Sequence, residues 1–219
     1  MKIGDIELKW LGHSGFLLKN SKTIYIDPYN IKEGSEKADI ILITHSHYDH
    51  CSMADINKIL KEGTKVLVPA DCQSNFTKFK IPINITIVEP NQQIVLNDIK
   101  ILTFPAYNID KPFHSKDEGW VGYLLKMKDV LIYHAGDTDK IPEMQKLTGY
   151  SKEKLIALLP IGGRFTMTSE EAVEAAKIIK PHLAVPMHYG SVSGTTGDAK
   201  EFLVLCKQEG INAIALEKD

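Results

Sequence analysis

The feature that most constrains this chain is a run of potential metal ligands, Thr44-His45-Ser46-His47-Tyr48-Asp49-His50, placed directly after an apolar segment. The apolar segment, Ile40 to Ile43, is continuous, as is typical of a strand buried on both faces. Ser52 follows at a position suited to capping a helix. The sequence therefore predicts a buried strand, a ligand-bearing turn and a helix in succession.

The spacing of these polar residues suggests two neighbouring cation sites. His45 and His47 are two residues apart, so in an extended segment both imidazoles point to the same side. Asp49 and His50 fall where the chain turns into the helix, so their side chains can diverge. Imidazole and carboxylate groups suit zinc, iron and manganese. The alternative is a polar surface loop, but three histidines and one aspartate within six residues argue against it.

Strand-rich segments followed by a helix occur twice along the 219 residues. In the second half, Thr168 to Glu171 has the pattern of a capping box that opens a helix. Asp198 is expected to cap a last helix, and Ile211 to Leu216 is expected to form the final strand. The pattern predicts a single α+β domain over residues 1–219, with two layers of sheet covered by helices.

Composition narrows the classes of function. The formal net charge is −2, and a protein bound mainly through phosphate contacts would need a basic face, so we expect no nucleic-acid partner. The three cysteines are few and widely spaced, which argues against a disulfide framework and fits a reducing compartment. No apolar run approaches the roughly 18 residues of a membrane span. These features predict a cytoplasmic protein without a membrane partner and leave its oligomeric state open.

The pattern His45-x-His47-x-Asp49-His50 after an apolar strand resembles the signature of the metallo-β-lactamase superfamily. Within that superfamily, the chain resembles compact hydrolases related to the ascorbate-phosphate lactonase and to the phospholipase-D-like phosphodiesterases. The resemblance implies a four-layer αββα sandwich with a two-metal site at one edge of the sheets. Further segments match in order: Leu11-Gly12-His13-Ser14, Tyr25-Ile26-Asp27-Pro28, His134-Ala135-Gly136-Asp137-Thr138 and Pro186-Met187-His188-Tyr189.

The resemblance also implies roles for individual residues. His45 and His47 would bind the first metal, and Asp49 and His50 would bind the second. Asp137 follows a predicted strand and matches the carboxylate that bridges the two ions; the alternative is an ordinary turn aspartate.

Two further histidines complete the implied ligand set. His188 ends a predicted strand and matches the last histidine on the second metal, the alternative being a core histidine. In many relatives the third histidine of the first metal follows a strand and a proline-containing turn, where this chain has Asn108. The nearby candidate is His114, which would require the loop from Tyr107 to Gly119 to fold back over the site. If His114 is not a ligand, Asn108 or water would complete the shell.

Several other residues have open interpretations. Asp27 could orient a ligand imidazole or could simply end a strand. His13 and His134 could contact ligands or substrate, or could be structural histidines. His182 is expected at the surface, and Cys51 is expected to be a buried thiol rather than a metal ligand.

The implied chemistry is hydrolysis by a hydroxide bound to two divalent ions, with zinc favoured and manganese, iron or nickel as alternatives. Asp49 would orient the hydroxide and could move its proton. Arg164, the single arginine, follows a predicted strand and could bind an anionic group, the alternative being a surface arginine in an ordinary loop. We expect a small, anionic ester, lactone or phosphodiester as substrate.

Three other functions remain open at this stage. A di-iron redox protein of the same fold would normally need an electron-transfer domain, for which 219 residues leave no room. A nuclease is disfavoured because the inserted domain of the RNA-processing branch is missing and the net charge is negative. A non-catalytic metal- or ligand-binding protein fits the same residues.

Overall fold

The computed structural model of the protein describes residues 1–150 and 152–219, which fall into two units. The first unit contains Met1–Glu89 together with Leu216–Asp219, and the second contains Pro90–Ala215. Each unit is built on one β-sheet with its own helices.

The first sheet has seven strands in the order of the sequence. Its first four strands are joined by antiparallel pairing, and its fourth to seventh strands by parallel pairing. The strands are β1 (Lys2–Ile3), β2 (Ile6–Gly12), β3 (Gly15–Lys19), β4 (Thr23–Ile26), β5 (Ile40–Leu42), β6 (Lys65–Val68) and β7 (Asn84–Ile87).

Strand β5 is buried along its whole length, as its continuous apolar sequence predicts. Helices α1 (Met53–Ile59) and α2 (Gln73–Phe76) contribute to a core with the side chains of one sheet face, among them Tyr25, Ile41 and Val66. Burial of these apolar side chains is the main stabilising contribution in the unit. This burial also fixes the direction of β5 and therefore the position of the residues that follow the strand.

The second sheet has six strands, in the order β13-β12-β11-β10-β9-β8. Strands β8 to β11 are antiparallel neighbours, whereas β11, β12 and β13 are parallel. The strands are β8 (Gln93–Leu96), β9 (Ile99–Pro105), β10 (Val121–Met127), β11 (Val130–His134), β12 (Lys154–Pro160) and β13 (Leu183–Met187). The carboxyl ends of the three parallel strands therefore lie at one edge of this sheet.

Helices α3 (Ser169–Ile179) and α4 (Thr196–Gln208) belong to the second unit. The capping box of α3 is confirmed, since the Thr168 side chain accepts from the Glu171 amide and the Glu171 carboxylate accepts from the Thr168 amide. The predicted cap of α4 is wrong by three residues. Thr195 is the N-cap, and Asp198 is the third residue of a second capping box.

The predicted final strand, Ile211 to Leu216, does not form in the described part of the chain. Asn212 and Ile214 exchange only two backbone hydrogen bonds with Ala184, at 2.8 and 3.1 Å, and the pairing is an isolated bridge. The chain instead continues to Lys218, which bridges Trp10 in the first unit. Among the described residues, no helix is long and apolar enough to cross a membrane.

Candidate functional site

The ligand-bearing turn of the first unit lies between β5 and α1, as the sequence predicts. The amides of His50 and Cys51 both donate to the carbonyl of His47, at 3.0 and 2.8 Å, which closes a tight turn. Ser52 caps α1 through its side chain, as predicted. The four candidate ligands of this unit all come from this turn. His13 and Asp27 contact them from other segments of the unit.

Asp27 is fully buried and organises the turn through three hydrogen bonds. It accepts from the Thr44 amide at 2.8 Å, from the Thr44 hydroxyl at 2.6 Å and from Nδ1 of His50 at 2.8 Å. Because a carboxylate accepts hydrogen bonds, it holds the His50 proton on Nδ1 and makes Nε2 the candidate ligand atom. Asp27 thus makes the contact expected of a residue that orients a ligand imidazole.

His45 is oriented in the same way by Thr44. The Thr44 hydroxyl gives its proton to Asp27, so its oxygen accepts from Nδ1 of His45 at 2.9 Å. Nε2 of His45 then faces Nδ1 of His47 at 3.1 Å. Two nitrogens bound tetrahedrally to one zinc ion at 2.0–2.1 Å are about 3.3 Å apart, so this pair has the spacing of two ligands of a single ion.

Asp49 lies beside His13, a residue from outside the turn. Nε2 of His13 is 2.9 Å from Oδ2 of Asp49, and Nε2 of His50 is 3.8 Å from the same oxygen. Donor atoms of these three residues lie within 4.8 Å of one another, and all three side chains are buried. Of the two interpretations of His13, the structure favours contact with a candidate ligand.

The second unit brings together three residues that are far apart in the sequence. Asp137 follows β11 and His188 follows β13, so parallel pairing places both at one edge of the sheet. Oδ2 of Asp137 is 3.0 Å from Nε2 of His188 and 3.4 Å from Nε2 of His114. The structure therefore places His114 beside Asp137, although no strand delivers it there.

The outer nitrogens of both histidines are held by other groups of the second unit. Nδ1 of His114 is 3.0 Å from the carbonyl oxygen of Phe165, which can only accept, so the proton lies on Nδ1. Nδ1 of His188 is 3.1 Å from the hydroxyl of Ser193. Gly162 packs against the same ring, since a Cβ there would be only 2.6 Å from Nδ1 of His188. Both Nε2 atoms are thereby directed at Asp137.

Four of these residues have left-handed backbone conformations, which are unfavourable for residues with a Cβ. The φ angles are 53° at His13, 44° at Asp27, 55° at His114 and 60° at His188. Such conformations persist where the surrounding contacts enforce them, and they are concentrated at functional sites.

The remaining candidates are placed as follows. Arg164 is exposed, with its guanidinium carbon 5.0 Å from the centre of the Phe165 ring. Nδ1 of His134 accepts from the Gly136 amide at 3.2 Å, as in a structural histidine. His182 is exposed, as predicted.

Cys51 lies in the apolar core of the first unit, as expected of a buried thiol. Its hydrogen bond with Cys72, together with burial, raises the pKa of the Cys72 thiol.

The donor set fits divalent metal ions. Two buried carboxylates, Asp49 and Asp137, face imidazole nitrogens. A buried carboxylate is costly without a cation, and imidazole together with carboxylate is the ligand chemistry of zinc and similar metals. Sequence reasoning missed the outer partners Thr44, Ser193 and the Phe165 carbonyl. Thr44 could have been suspected because it adjoins His45, but the contact of the Phe165 carbonyl with His114 spans 51 residues.

The two sheets with their helices and these histidine and aspartate groups are those of a protein of the metallo-β-lactamase fold class. The profile of the β-lactamase superfamily domain matches residues 7–188. The chain belongs to the metallo-β-lactamase superfamily, and the predicted fold class is confirmed.

Similar proteins have been described from archaea and bacteria. A UPF0173 metal-dependent hydrolase of Thermococcus kodakarensis is 34% identical over 210 residues, covering 90% of each chain. The crystal structure of a metal-dependent hydrolase from Parabacteroides distasonis is 27% identical with a TM-score of 0.83, covering 98% of this chain and 94% of that one. The metallo hydrolase Igni18 of Ignicoccus hospitalis is 26% identical with a TM-score of 0.78, covering 97% and 95%.

Proposed function

We propose that this protein is a binuclear metal-dependent hydrolase that acts on a small anionic ester, lactone or phosphodiester. The observation that carries the proposal is the convergence of Nε2 of His114 and of His188 on one oxygen of the buried Asp137. The metal-dependent hydrolase names of its relatives support the same conclusion.

The proposed ligand set is the one that the family resemblance assigns, and it contains seven residues. Within the first unit, buried partners hold Nδ1 of His45 and of His50, so that Nε2 of each ring is the proposed ligand atom. The same arrangement holds His114 in the second unit. This orientation of imidazoles by outer groups is general for metal-binding histidines and supports the assignment. The set is His45, His47, Asp49, His50, His114, Asp137 and His188.

Divalent ions bound by such residues lower the pKa of water toward 7 and stabilise developing negative charge. Zinc is the favoured ion, with manganese, iron or nickel as alternatives. We assign Asp49 the role of orienting the attacking water and accepting its proton. His13, at 2.9 Å from Oδ2 of Asp49, fixes the direction of that carboxylate. The second carboxylate oxygen of Asp49 can then face the water.

We assign substrate recognition to Arg164. It is the single arginine of the chain, and its guanidinium lies over the ring of the adjacent Phe165. The carbonyl of Phe165 is the group that holds His114. A guanidinium can bind a carboxylate or phosphate through two parallel hydrogen bonds. Phe113 lies beside Phe165, with ring centres 4.9 Å apart, and is exposed. An anionic group next to an apolar group would match these side chains.

The test is a hydrolysis screen of the full-length protein loaded separately with zinc and with manganese, using generic carboxylic esters, lactones and phosphodiesters. We expect turnover of at least one anionic class, abolished by a chelator and restored by the added metal. Metal binding at two equivalents without any turnover would contradict the hydrolase and favour a non-catalytic binding protein. Turnover that persists after complete removal of the metal would contradict the metal-dependent mechanism.

A further inference from the structure

The loop that carries His114 leaves β9 at Pro105 and returns to β10 at Val121. A histidine on such a loop cannot be positioned by strand register, and His114 also has a left-handed φ of 55°. Its position must therefore be enforced by contacts of the loop with the rest of the second unit. Those contacts converge on the two residues after Asp137.

The Thr138 hydroxyl and the Asp139 amide hydrogen-bond with the backbone of Tyr107 at the beginning of the loop. The Tyr107 amide donates to the Thr138 hydroxyl oxygen at 3.2 Å, and the Tyr107 carbonyl accepts from the Asp139 amide at 3.0 Å. The Tyr107 carbonyl is also 3.0 Å from the Thr138 hydroxyl. The loop is thus joined directly to the segment that bears Asp137.

The Asp139 carboxylate holds the next part of the loop. One oxygen accepts from the Ile109 amide at 2.8 Å, and the other is paired with the ammonium group of Lys111. Asp139 is 6% exposed, so its charge is withdrawn from water and depends on these two partners. Lys111 has only one other carboxylate partner among the described ion pairs, Glu171 at 3.6 Å. Removal of the Asp139 carboxylate group would release the loop at two points.

The contacts of Asn108 connect this region with His114. The backbone amide of Asn108 donates to the His114 carbonyl at 2.8 Å, and Nδ2 of the Asn108 side chain donates to the Phe165 carbonyl at 2.7 Å. The same carbonyl accepts from Nδ1 of His114. Asn108 lies between Tyr107 and Ile109, both of which are bound by the Thr138–Asp139 segment. A displacement of residues 107–109 would therefore move His114.

We propose that Asp139 is a positioning residue for His114, acting through Ile109 and Lys111 to hold Nε2 of His114 toward Asp137. Asp139 touches neither the ring of His114 nor the proposed metal ions in this scheme. The consequence for metal binding rests on the proposed function, whereas the positioning of the ring does not.

The first experiment measures the ring position without metal. Full-length, metal-free protein with ¹⁵N-labelled histidine would be compared by NMR as wild type, Asp139→Ala and Asp139→Asn. We expect Asp139→Ala to shift or broaden the ring nitrogen signals of His114 and to leave those of His45 and His50 in place. Asp139→Asn keeps an acceptor for the Ile109 amide and should preserve most of the His114 signal. Unchanged His114 signals in a folded Asp139→Ala protein would overturn the proposal.

The second experiment measures zinc binding by calorimetric titration of the same proteins. We expect Asp139→Ala to weaken one of two zinc equivalents by about 10- to 100-fold, as for other residues that position ligands. Lys111→Met, which leaves the Ile109 bond intact, should give a smaller loss in the same equivalent and provides a second variant if Asp139→Ala fails to fold. The matched control is Glu153→Gln, which breaks the 2.7 Å ion pair with Lys126 elsewhere in the second unit.

The outcomes distinguish a failure of the proposed function from a failure of the positioning role of Asp139. If wild-type protein binds no zinc, the proposed function fails, and the NMR comparison still decides the role of Asp139. If the wild type binds two equivalents and Asp139→Ala and Lys111→Met both bind them with wild-type affinity, the positioning role is wrong. An equal loss in Glu153→Gln would also overturn it, because the effect would then be general destabilisation of the unit.

Discussion

The two units supply their candidate ligands in opposite ways. In the first unit, four candidate ligands come from the six residues His45 to His50, in a turn closed by hydrogen bonds to its own backbone. In the second unit, His114, Asp137 and His188 span 75 residues and meet only at the edge of a folded sheet. Local geometry therefore arranges the first set, whereas strand pairing and loop contacts arrange the second.

This difference has an energetic consequence. A turn between a fully buried strand and a capped helix keeps its shape as long as its own unit is folded. The second set depends on several weaker contacts, each contributing about 1 kcal/mol. We expect mutations around the second set to change metal binding without unfolding the protein, and mutations around the first set to affect the two properties together.

The largest expected effect is that of Asp137→Ala. Both Nε2 atoms of the second unit lose their common partner, so we expect zinc affinity to fall more than 100-fold, beyond the loss typical of outer-shell changes. Hydrolysis should fall in parallel. Elemental analysis of purified protein and titration of metal-free protein would measure this. His188→Ala should behave similarly, and retention of both metal and activity in either variant would show that the second set is not a ligand set.

The next effect is that of Asp27→Ala, which removes the partner of His50 and Thr44 in the first unit. We expect zinc affinity to fall about 10- to 100-fold. We also expect a lower melting temperature, because a buried amide and hydroxyl lose their acceptor. Asp39→Asn is the matched control, since that carboxylate accepts from the Thr23 amide in the same unit but contacts no histidine among the described residues. A loss of stability with unchanged zinc affinity would contradict our expectation that changes around the first set affect stability and metal binding together.

A smaller effect is expected for Arg164→Lys, which tests whether recognition depends on the second unit. The substitution keeps the positive charge and removes the planar pair of donors. We expect KM for an anionic substrate to rise about three- to tenfold with little change in kcat, which corresponds to the loss of one charge-assisted hydrogen bond. A neutral substrate of the same class serves as the control. Unchanged KM for every substrate found would exclude Arg164 as the anion-binding residue.

The smallest effect on metal binding is expected for Asp55→Asn. Asp55 is the first unit's counterpart of Asp139, since it accepts from the amides of Asn30 and Ile31 and pairs with Lys58. It does not contact the turn's histidines in the hydrogen bonds described. We expect zinc affinity to change less than about twofold, whereas the free energy of unfolding should fall by about 1–3 kcal/mol at pH 7.

The pH dependence of this effect follows from the ionisation of Asp55. Burial opposes ionisation, but hydrogen bonds from Ser52, Lys58 and Asn30 outweigh it and hold the pKa of Asp55 below its ordinary value of about 4. Because the folded state has the lower pKa, the contribution is complete above about pH 4 and is lost as the pH falls through the folded pKa. Urea unfolding of wild type and variant should therefore differ at pH 7 and converge in strong acid. A difference that stays constant with pH would contradict this assignment.

The sequence by itself determined the elements that depend on short-range patterns. The apolar run before His45, the Ser52 cap and the capping box at Thr168 all follow from side-chain periodicity and local hydrogen bonding. The turn from His45 to His50 belongs to the same class, because its ligands are neighbours in the chain. The resemblance to a known family extended the prediction to Asp137 and His188, whose positions follow the ends of predictable strands.

The tertiary structure alone decided the features that depend on long-range contacts. The position of His114 relies on Phe165 and Asp139, and the orientation of His50 relies on Asp27; both sets of contacts join segments more than twenty residues apart. The misplaced cap at Asp198 has a local origin, because Thr195, three residues earlier, takes the cap position. The absent strand at residues 211–216 has a long-range origin, because a strand forms only where a partner offers a continuous edge. Such choices depend on packing energies summed over the fold, which no short segment of the sequence contains.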